Sequence, residues 1–302
     1  MKKILIKILQ IISKNIQIKG FPKFILFIKN ILFNSNTVYN AYNNVNLKIL
    51  PNVGFHCLNI LNHGGFDTIK IFEKYLTLGD NFIDIGANLG YMSINASKIV
   101  GPKGKIISFE PDNTIYNLLE NNISLNNVEN IILNKIGLSN YNGEASFNIA
   151  TESGLSRLEN KNNNLEGLIL QTKTTIKVKT LDSFLSENNF TNLKIKMIKI
   201  DVEGHELNIL QGAINLLKDT KPLIILEINP GALIQNDLSL INIINFLDPL
   251  DYDSFFINSH SADFIRFSRN PTFEKITPSN INEFSSKNFD LLAIPKNKTL
   301  NF

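Results

Sequence analysis

From about Phe66 onward the chain alternates between short strand-like runs and longer amphipathic stretches, and this rhythm restricts its fold more than any other feature. Runs rich in β-branched and aromatic residues are separated by helical patterns and by breaker clusters such as Gly-Pro-Lys-Gly at residues 101–104. Strands joined through helices pair in parallel, and a parallel sheet is covered on both faces. The pattern therefore predicts an α/β fold with a doubly wound, mostly parallel sheet.

The same patterns predict where the elements lie. Helices are expected over residues 67–78, 91–100, 111–126, 181–185, 206–218 and 238–247, and strands over residues 81–85, 105–110, 131–133, 174–179, 195–200, 223–226, 252–258 and 289–294. The pair Asn142-Gly143 is typical of a two-residue hairpin turn. The polar segment over residues 151–171 predicts a surface loop or a lid.

The first 65 residues differ from the rest in charge and pattern. Eight lysines and no acidic residue precede Asp67. The remaining residues therefore hold 22 of the 30 basic side chains and all 27 acidic side chains. Residues 1–18 predict an amphipathic helix, residues 24–33 form a second apolar segment, and polar turn material follows. We predict a basic, helical N-terminal extension over residues 1–65 and one domain over residues 66–302. Residues 1–33 could contact an anionic membrane surface or a partner helix, or pack on their own domain.

Composition limits the class of protein and its location. Apolar residues make up 43% of the chain, enough for a sizeable core, and the single cysteine, Cys57, excludes an internal disulfide framework. No apolar run is long enough for a transmembrane helix, and the basic start lacks a signal-peptide core. We expect a cytoplasmic protein that could associate with a membrane. The acidic balance of residues 66–302 argues against a nucleic-acid partner.

A glycine-containing loop directly follows the first predicted strand of the domain. It consists of Asp84, Ile85, Gly86, Ala87, Asn88, Leu89 and Gly90. Glycines allow a tight turn and close backbone approach at the carboxyl end of a parallel strand, where open α/β sheets bind their ligands. Glu110 ends the next strand, where a carboxylate can accept both hydroxyls of a ribose. Together the loop and Glu110 predict a nucleoside-binding crevice.

The identity of the nucleoside follows from what the loop lacks. A dinucleotide fingerprint places a second glycine where this chain has Asn88, whose side chain would crowd a pyrophosphate. S-adenosylmethionine carries no phosphate and needs no such opening. The loop therefore favours S-adenosylmethionine over NAD as the cofactor.

A third constellation lies at the end of another predicted strand. Lys199, Asp201, Glu203, His205 and Glu206 surround Gly204, at the sheet edge where substrate meets cofactor. Such a cluster either serves chemistry or is a solvated first turn of a helix, and we favour chemistry because Asp201 ends a buried strand. No recognised metal motif is present, so we predict no metal, although oxygen and nitrogen ligands could come from this cluster and from Glu227.

Taken in order, these motifs resemble one enzyme family. The matching elements are Asp84 to Tyr91, Phe109-Glu110-Pro111, Leu181-Asp182, Ile198 to Glu206, Gly212-Ala213 and Glu227. This series is similar to the FkbM family of methyltransferases across about residues 66–295. The resemblance implies a class I, Rossmann-like methyltransferase fold with a seven-stranded sheet whose last strand is antiparallel. It also implies O-methyl transfer in the biosynthesis of glycans or secondary metabolites, with S-adenosylmethionine as cofactor.

The combined hypothesis assigns roles by residue. The cofactor is assigned to a set formed by Asp84, Gly86, Ala87, Asn88, Gly90, Tyr91 and Glu110. The acceptor side is assigned to Asp201, Glu203 and His205, and either Asp201 or His205 is the candidate base. The acceptor is expected to be a small molecule or a glycan. Arg157, Arg266 and Arg269 could hold a phosphate or carboxylate on it, or lie at the surface. An NAD(P)-dependent oxidoreductase and a non-catalytic nucleoside-binding module are the alternatives.

Overall fold

A computed structural model of the protein describes residues 38–49, 65–150, 156–158, 170–258 and 271–298. The predictions for residues 1–37, for Cys57, and for the arginines at positions 266 and 269 lie outside these ranges. Among the described residues, no helix combines the length and the apolar character needed to cross a membrane.

The helices and strands of the described residues alternate as the sequence predicts. The strands are β1 Val38–Ala41, β2 Val45–Lys48, β3 Asn81–Ile85, β4 Ile106–Phe109, β5 Ile131–Asn134, β6 Gly137–Leu138, β7 Gly143–Ala150, β8 Arg157–Leu158, β9 Leu170–Lys179, β10 Ile195–Ile200, β11 Leu223–Ile228, β12 Tyr252–Asn258, β13 Thr272–Lys275 and β14 Phe289–Pro295. The helices are α1 Phe66–Tyr75, α2 Tyr91–Val100, α3 Asn113–Leu125, α4 Leu181–Glu187, α5 Glu206–Gln211, α6 Ile214–Asp219, α7 Pro230–Ile234, α8 Leu240–Leu247 and α9 Ile281–Phe284.

The main sheet has the strand order β13-β12-β14-β11-β10-β3-β4-β5. Parallel pairing joins β5, β4, β3, β10 and β11, whereas β14 runs antiparallel between β11 and β12. The class I methyltransferase fold is therefore present, with its last strand antiparallel. The expected count of seven strands is wrong, because β13 pairs antiparallel with β12 and adds an eighth. β13 is short and polar, so no apolar pattern in the sequence indicated it.

Helices cover both faces of this sheet, as the doubly wound prediction requires. Alternate residues of β3 point to opposite faces, so that Phe82 packs with Phe72 of α1 and Val100 of α2. On the other face, Ile83 packs with Phe184 of α4 and Leu217 of α6. The order of the strands reverses between β3 and β10, which places a crevice above the carboxyl ends of these two strands.

A second, smaller sheet has the order β6-β9-β7-β8. The prediction of a two-residue hairpin at Asn142-Gly143 is wrong. Gly137 of β6 and Gly143 of β7 both pair with Val178 of β9, on its opposite sides, so β9 lies between the strands that the turn connects. Local turn chemistry could not reveal this, because the intervening strand comes from residues 170–179. Most of the segment over residues 151–171 lies outside the described residues, and its part in β8 pairs with β7.

The strands β1 and β2 form an antiparallel hairpin where the sequence predicted only turn material. Val45 and Leu47 are fully buried against α2 and α3. Asn122 of α3 pairs with the backbone of Lys48 through both its side-chain atoms, at 2.7 and 3.2 Å. The described part of the first 65 residues thus packs on the domain, while the boundary at residue 65 stays a prediction.

The helix predicted over residues 206–218 is divided into α5 and α6. A Cβ on Gly212 would lie 2.1 Å from the carbonyl oxygen of Ser139. The backbone at Gly212 therefore packs too closely against Ser139 for any side chain at the point where the helix is divided. The Asp182 carboxylate accepts hydrogen bonds from the backbone N–H groups of Asn215 and Leu216, at 2.9 and 3.0 Å. This capping starts the new helix at the break.

Candidate active site

The loop after β3 turns sharply at Gly86 and presses against the end of β10. Gly86 has a φ of 78°, in the left-handed region that favours glycine. A Cβ at this position would lie 1.9 Å from the carbonyl oxygen of Asp201. The backbone N–H groups of Gly86 and Ala87 both donate to the carbonyl oxygen of Phe109, at 3.1 and 2.9 Å. The loop therefore joins the ends of β3, β4 and β10 into one rim.

Four of the residues predicted to contact the cofactor form this loop or support it from the interior of the domain. Asp84 is fully buried and accepts a 2.5 Å hydrogen bond from the Ser93 hydroxyl of α2. Gly90 precedes α2 with a φ of 87°, and Ala87 accepts a hydrogen bond from its N–H. Tyr91 packs in the apolar cluster between the hairpin, α2 and α3. For these four residues, direct contact with the cofactor stays a prediction.

Glu110 lies at the end of β4 with its carboxylate turned toward the loop. Its two oxygens accept hydrogen bonds from the backbone N–H groups of Asn88 and Asp112, each at 2.9 Å. Burial raises the pKa of Glu110 to about 8, although these two hydrogen bonds act to lower it. The carboxylate is thus held rigidly at the rim, where the sequence predicts the ribose.

A cleft opens beside this rim, and it brings six of the predicted site residues together. They are Gly86, Asn88, Glu110, Asp201, Glu203 and His205. Its apolar lining comes from both sheets and includes Phe109, Ile136, Leu138, Phe147 and Ile176. The side-chain oxygen of Asn88 is buried there without a hydrogen-bond partner among the described residues. The cleft therefore combines a flat apolar lining with polar groups at one end.

Asp201 is the carboxylate at the end of β10, and it belongs to a buried charged cluster. Lys199 forms an ion pair with it, the Nζ–Oδ2 distance being 2.8 Å. A hydrogen bond joins the Asp201 and Glu227 carboxyls, and the charge of Asp201 and burial together raise the pKa of Glu227 well above its ordinary value. The neighbouring charge and burial therefore disfavour ionisation of Glu227. Although burial disfavours its charge, the carboxylates of Asp201 and Asp84 raise the pKa of Lys199.

The register of the sheet explains how this cluster assembles. Lys199 lies opposite Asp84 of β3, and Glu227 of β11 lies opposite Asp290 of β14, so their side chains share one face. The hydroxyl of Thr68, in the first turn of α1, donates to Asp290 at 2.7 Å. Sequence analysis missed Asp290 and Thr68, which are 89 and 133 residues from Asp201. Only the strand order brings them together.

The turn from Val202 to His205 is strained and tightly held. Glu203 has a φ of 55°, and its side chain accepts a 2.9 Å hydrogen bond from the Asn229 amide. A Cβ on Gly204 would lie 2.5 Å from the carbonyl oxygen of Ala232. Burial raises the pKa of Glu203 and of Glu206 to about 7. Glu206 accepts the Gly204 N–H at 3.0 Å and so holds the turn from below.

His205 lines the cleft on the side of the small sheet. Its Nε2 lies 3.0 Å from the Ser139 hydroxyl, and burial lowers the pKa of its ring to about 4. The imidazole is therefore neutral near pH 7, and it gains a proton less readily than an exposed histidine. Its position suits hydrogen bonding better than proton abstraction.

Arg157 reaches the cleft from β8. Its side chain is only 5% exposed. Burial lowers the pKa of Arg157, against the opposing influence of the nearby Glu203 carboxylate. Sequence analysis treated Arg157 as one of three arginines without distinguishing it. The positions of His56 and His63 lie outside the described residues. Within the described ranges, no three His, Cys, Asp or Glu side chains converge as a metal site would require.

These features fit S-adenosylmethionine. Glu110 offers a fixed carboxyl group to a ribose, Gly86 lines the cleft without a side chain, and the apolar lining suits an adenine ring. The unpartnered oxygen of Asn88 is free to accept a hydrogen bond from a bound group. The donors and acceptors of the cleft thus match a nucleoside with a short, charged substituent.

Comparison with known proteins agrees with this geometry. Residues 84–254 match the model of the methyltransferase FkbM domain. Hexuronic acid methyltransferase AglP of Haloferax volcanii is 27% identical over 169 residues, which cover 56% of this chain and 64% of that protein. Methyltransferase 1 of Beauveria bassiana is 29% identical over 148 residues, which cover 44% of this chain and 58% of that protein.

The crystal structure of methyltransferase FkbM from Methylobacillus flagellatus is a more distant likeness. It has a TM-score of 0.44 and 17% identity, covering 72% of this chain and 44% of that one, and it carries no argument about function. The match to each curated relative spans less than two thirds of that protein. The FkbM domain nevertheless occupies more than half of this chain and includes the loop, Glu110 and the turn after β10. The chain therefore belongs to the FkbM methyltransferase family, enzymes that use S-adenosylmethionine as the methyl donor.

Proposed function

We propose that this methyltransferase acts on oxygen, and that its acceptor is a hydroxyl group of a sugar, a glycan or a secondary metabolite. The observation that carries this proposal is the position of Asp201, a residue that lines the same cleft as Glu110 and Gly86. A hydroxyl must lose its proton when it is methylated, and a carboxylate at this point can accept it. The curated relative AglP is named for hexuronic acid methylation, which supports a sugar-type acceptor.

The residues on the loop side of the cleft are assigned to the cofactor. Glu110 accepts the ribose hydroxyls, Gly86 lines the cleft with its backbone, and Asn88 accepts a further hydrogen bond. The bound cofactor supplies a methyl group on a sulfonium sulfur, and the rest of the cofactor leaves as a neutral thioether. Most of what the protein adds is position, because displacement at the methyl carbon requires the acceptor oxygen in line with the departing sulfur.

The residues after β10 are assigned to the acceptor. The hydroxyl of the acceptor donates to Asp201, its oxygen forms the new bond to the methyl carbon, and its proton passes to the carboxylate. The ion pair with Lys199 favours the negative charge on Asp201 before the transfer. We assign the base to Asp201 rather than to His205, because Nε2 of the His205 ring already pairs with the Ser139 hydroxyl.

The expected partners follow from the same cleft and charge pattern. We propose a small-molecule or glycan acceptor and no nucleic acid, since residues 66–302 carry a net negative charge. A cytoplasmic location and a contact of residues 1–33 with a membrane or a partner stay predictions. Neither an oxidoreductase nor a silent binding module is supported, because the family is one of methyltransferases.

The variant Asp201→Asn tests the assignment of the base. The amide cannot take the hydroxyl proton, so we expect methyl transfer to fall by about 10²–10⁴-fold while S-adenosylhomocysteine still binds. Titration calorimetry measures the binding, and transfer of radiolabelled methyl to a panel of sugars and phenols measures the activity. The exposed Asp219→Asn serves as control for the loss of one charge. Full activity in Asp201→Asn would remove it from the mechanism, and no binding of S-adenosylhomocysteine to the unmodified protein would contradict the proposed function.

A further inference from the structure

The guanidinium of Arg157 has two N–H groups with no partner in the cleft. The side chain is 5% exposed, and among the described residues neither Nε nor Nη2 has a hydrogen-bond partner. Leaving a charged donor buried without a partner costs free energy, and native proteins rarely do so without a ligand or water. Two such donors on one residue that lines the cleft point to a bound group that accepts their hydrogen bonds.

The position of Arg157 is determined by the small sheet. Arg157 lies opposite Asn148 of β7 in the antiparallel pair with β8, and Leu158 lies opposite Phe147. Arg157 lines the cleft together with Phe147 and Ile176 of the same sheet. The charged end is thus carried into the cleft by a strand rather than by an isolated surface loop.

The two unpartnered atoms define the shape of the missing group. Nε and Nη2 lie on the same edge of the planar guanidinium, where their N–H bonds run nearly parallel. This edge matches the two oxygens of a carboxylate in a bidentate pair. A neutral hydroxyl or amide offers this edge one oxygen without a charge, whereas a carboxylate offers two oxygens and a negative charge. The geometry therefore favours an oxyanion with two accepting oxygens.

The surrounding charges favour a monoanion over a phosphate. Asp201 and Glu203 line the same cleft, and Arg157 is the one lysine or arginine among the described lining residues. A dianionic phosphate beside two carboxylates would meet more repulsion than one guanidinium could offset. A carboxylate carries a single charge, which the guanidinium neutralises.

We propose that Arg157 binds a carboxylate of the acceptor, and that the acceptor is therefore an acidic sugar or another hydroxy compound with a carboxylate beside the accepting hydroxyl. This inference rests on the proposed function, since it deepens the assignment of the acceptor site. Arg157 would act in binding and orientation, and Asp201 would act on the hydroxyl proton. The carboxylate itself stays ionised and paired, which keeps it from being the methylated group.

The experiment compares sugars that differ only at one carbon. D-Glucuronate, D-glucose and D-glucose 6-phosphate are titrated into the protein loaded with S-adenosylhomocysteine, and binding is followed by calorimetry or by ligand-detected NMR. We expect glucuronate to bind about tenfold or more tightly than glucose, as for a bidentate charged pair. In Arg157→Gln this preference should disappear, and Arg157→Lys should recover only part of it because it keeps the charge and lacks the paired N–H groups.

Two controls separate Arg157 from general effects. Lys177→Gln removes one positive charge from an exposed position of β9, and it should keep the full preference for glucuronate. The affinity of Arg157→Gln for S-adenosylhomocysteine should stay within a factor of about two of the unmodified protein, because the pair is made with the acceptor. If Arg157→Gln unfolds, Arg157→Met is used instead in every titration, because methionine keeps the apolar stem of the side chain.

Three results would overturn the inference. The first is equal binding of glucuronate and glucose by the unmodified protein, and the second is tighter binding of the sugar phosphate. The third is a large loss of S-adenosylhomocysteine affinity in Arg157→Gln, because this would assign Arg157 to the carboxylate of the cofactor. The sugar titrations are repeated without S-adenosylhomocysteine. If that compound fails to bind while glucuronate binding still requires Arg157, then the proposed function fails and the inference about Arg157 stands.

Discussion

Gly86 is the residue at which the two halves of the site touch. Its backbone has a positive φ, and the space where a side chain would begin is taken by the carbonyl oxygen of Asp201. The position thus needs glycine for two independent reasons, conformation and close approach. Gly79 also has a positive φ, 89°, but no atom lies within 4 Å of where its Cβ would be. Comparing the two glycines therefore separates the effect of the backbone conformation from the effect of close approach.

Gly86→Ala and Gly79→Ala should therefore differ. The left-handed conformation costs each alanine about 1–2 kcal/mol in the free energy of unfolding. Gly86→Ala should lose a further ~1–3 kcal/mol, because the methyl group forces β3 and β10 apart. It should also raise the Kd for S-adenosylhomocysteine about tenfold or more, an effect of about 1.4 kcal/mol. Urea denaturation and calorimetry measure both, and equal losses in the two variants would contradict this account.

At the scale of elements, the hairpin of β1 and β2 is linked to the glycine loop through a single side chain. Asn122 of α3 bonds the backbone of Lys48 at one end, and it donates to the carbonyl oxygen of Leu89 at 2.9 Å. Asn122 is fully buried, so each of these backbone groups depends on it. Helix α3 thereby holds both the loop and the hairpin.

Asn122→Leu should loosen both elements together. It leaves the Lys48 N–H and the Leu89 carbonyl without partners, which we expect to cost ~1–3 kcal/mol in the free energy of unfolding. Hydrogen exchange should become faster in the loop and in β2. The neighbouring Asn121 bonds only the carbonyl oxygen of Asn117 within the helix, so Asn121→Leu is the matched control. A similar loss of stability in both variants would contradict the role of the shared link, because leucine has the higher helix propensity of the two residues.

At the scale of the whole molecule, buried carboxyl groups connect the site to stability. Burial raises the pKa of Glu110 to about 8 and those of Glu203 and Glu206 to about 7, against an ordinary value of 4.5. Between pH 4.5 and these values the folded state binds more protons than the unfolded state. The stability that these groups contribute is complete below pH 4.5 and is lost as the pH rises through 7 and 8.

The ligand-free protein should therefore become less stable from pH 6.5 to pH 8. In this window the unfolded form of His205, with an ordinary pKa of 6.5, is largely deprotonated and opposes the trend only weakly. Glu110→Gln should flatten the slope by up to about 1.4 kcal/mol per pH unit, the value for one proton. The exposed Glu144→Gln should leave it unchanged. Urea denaturation at several pH values measures this, and a rise in stability over the window would contradict it.

Local sequence patterns predicted the order of the main strands and helices, the glycine loop after β3, Glu110 at the end of β4, and the turn from Asp201 to Glu206. These features are local, since each depends on the side-chain period of one element and on the glycines that end it. The division of the helix at Gly212 and the hairpin at β1 and β2 were missed, because both depend on contacts with distant segments. The eighth strand was missed because β13 carries too weak a pattern of its own.

Only the tertiary structure decided how the charged groups of the site combine. The Lys199–Asp201 pair lies within one strand, yet its connection to Glu227, Asp290 and Thr68 requires the register of three strands and the placement of α1. The unpartnered guanidinium of Arg157 likewise exists only because β8 pairs with β7 at the mouth of the cleft. Burial, and with it the state of each proton and the choice of ligand, is set by what surrounds a side chain in space, which the order of residues along the chain does not specify.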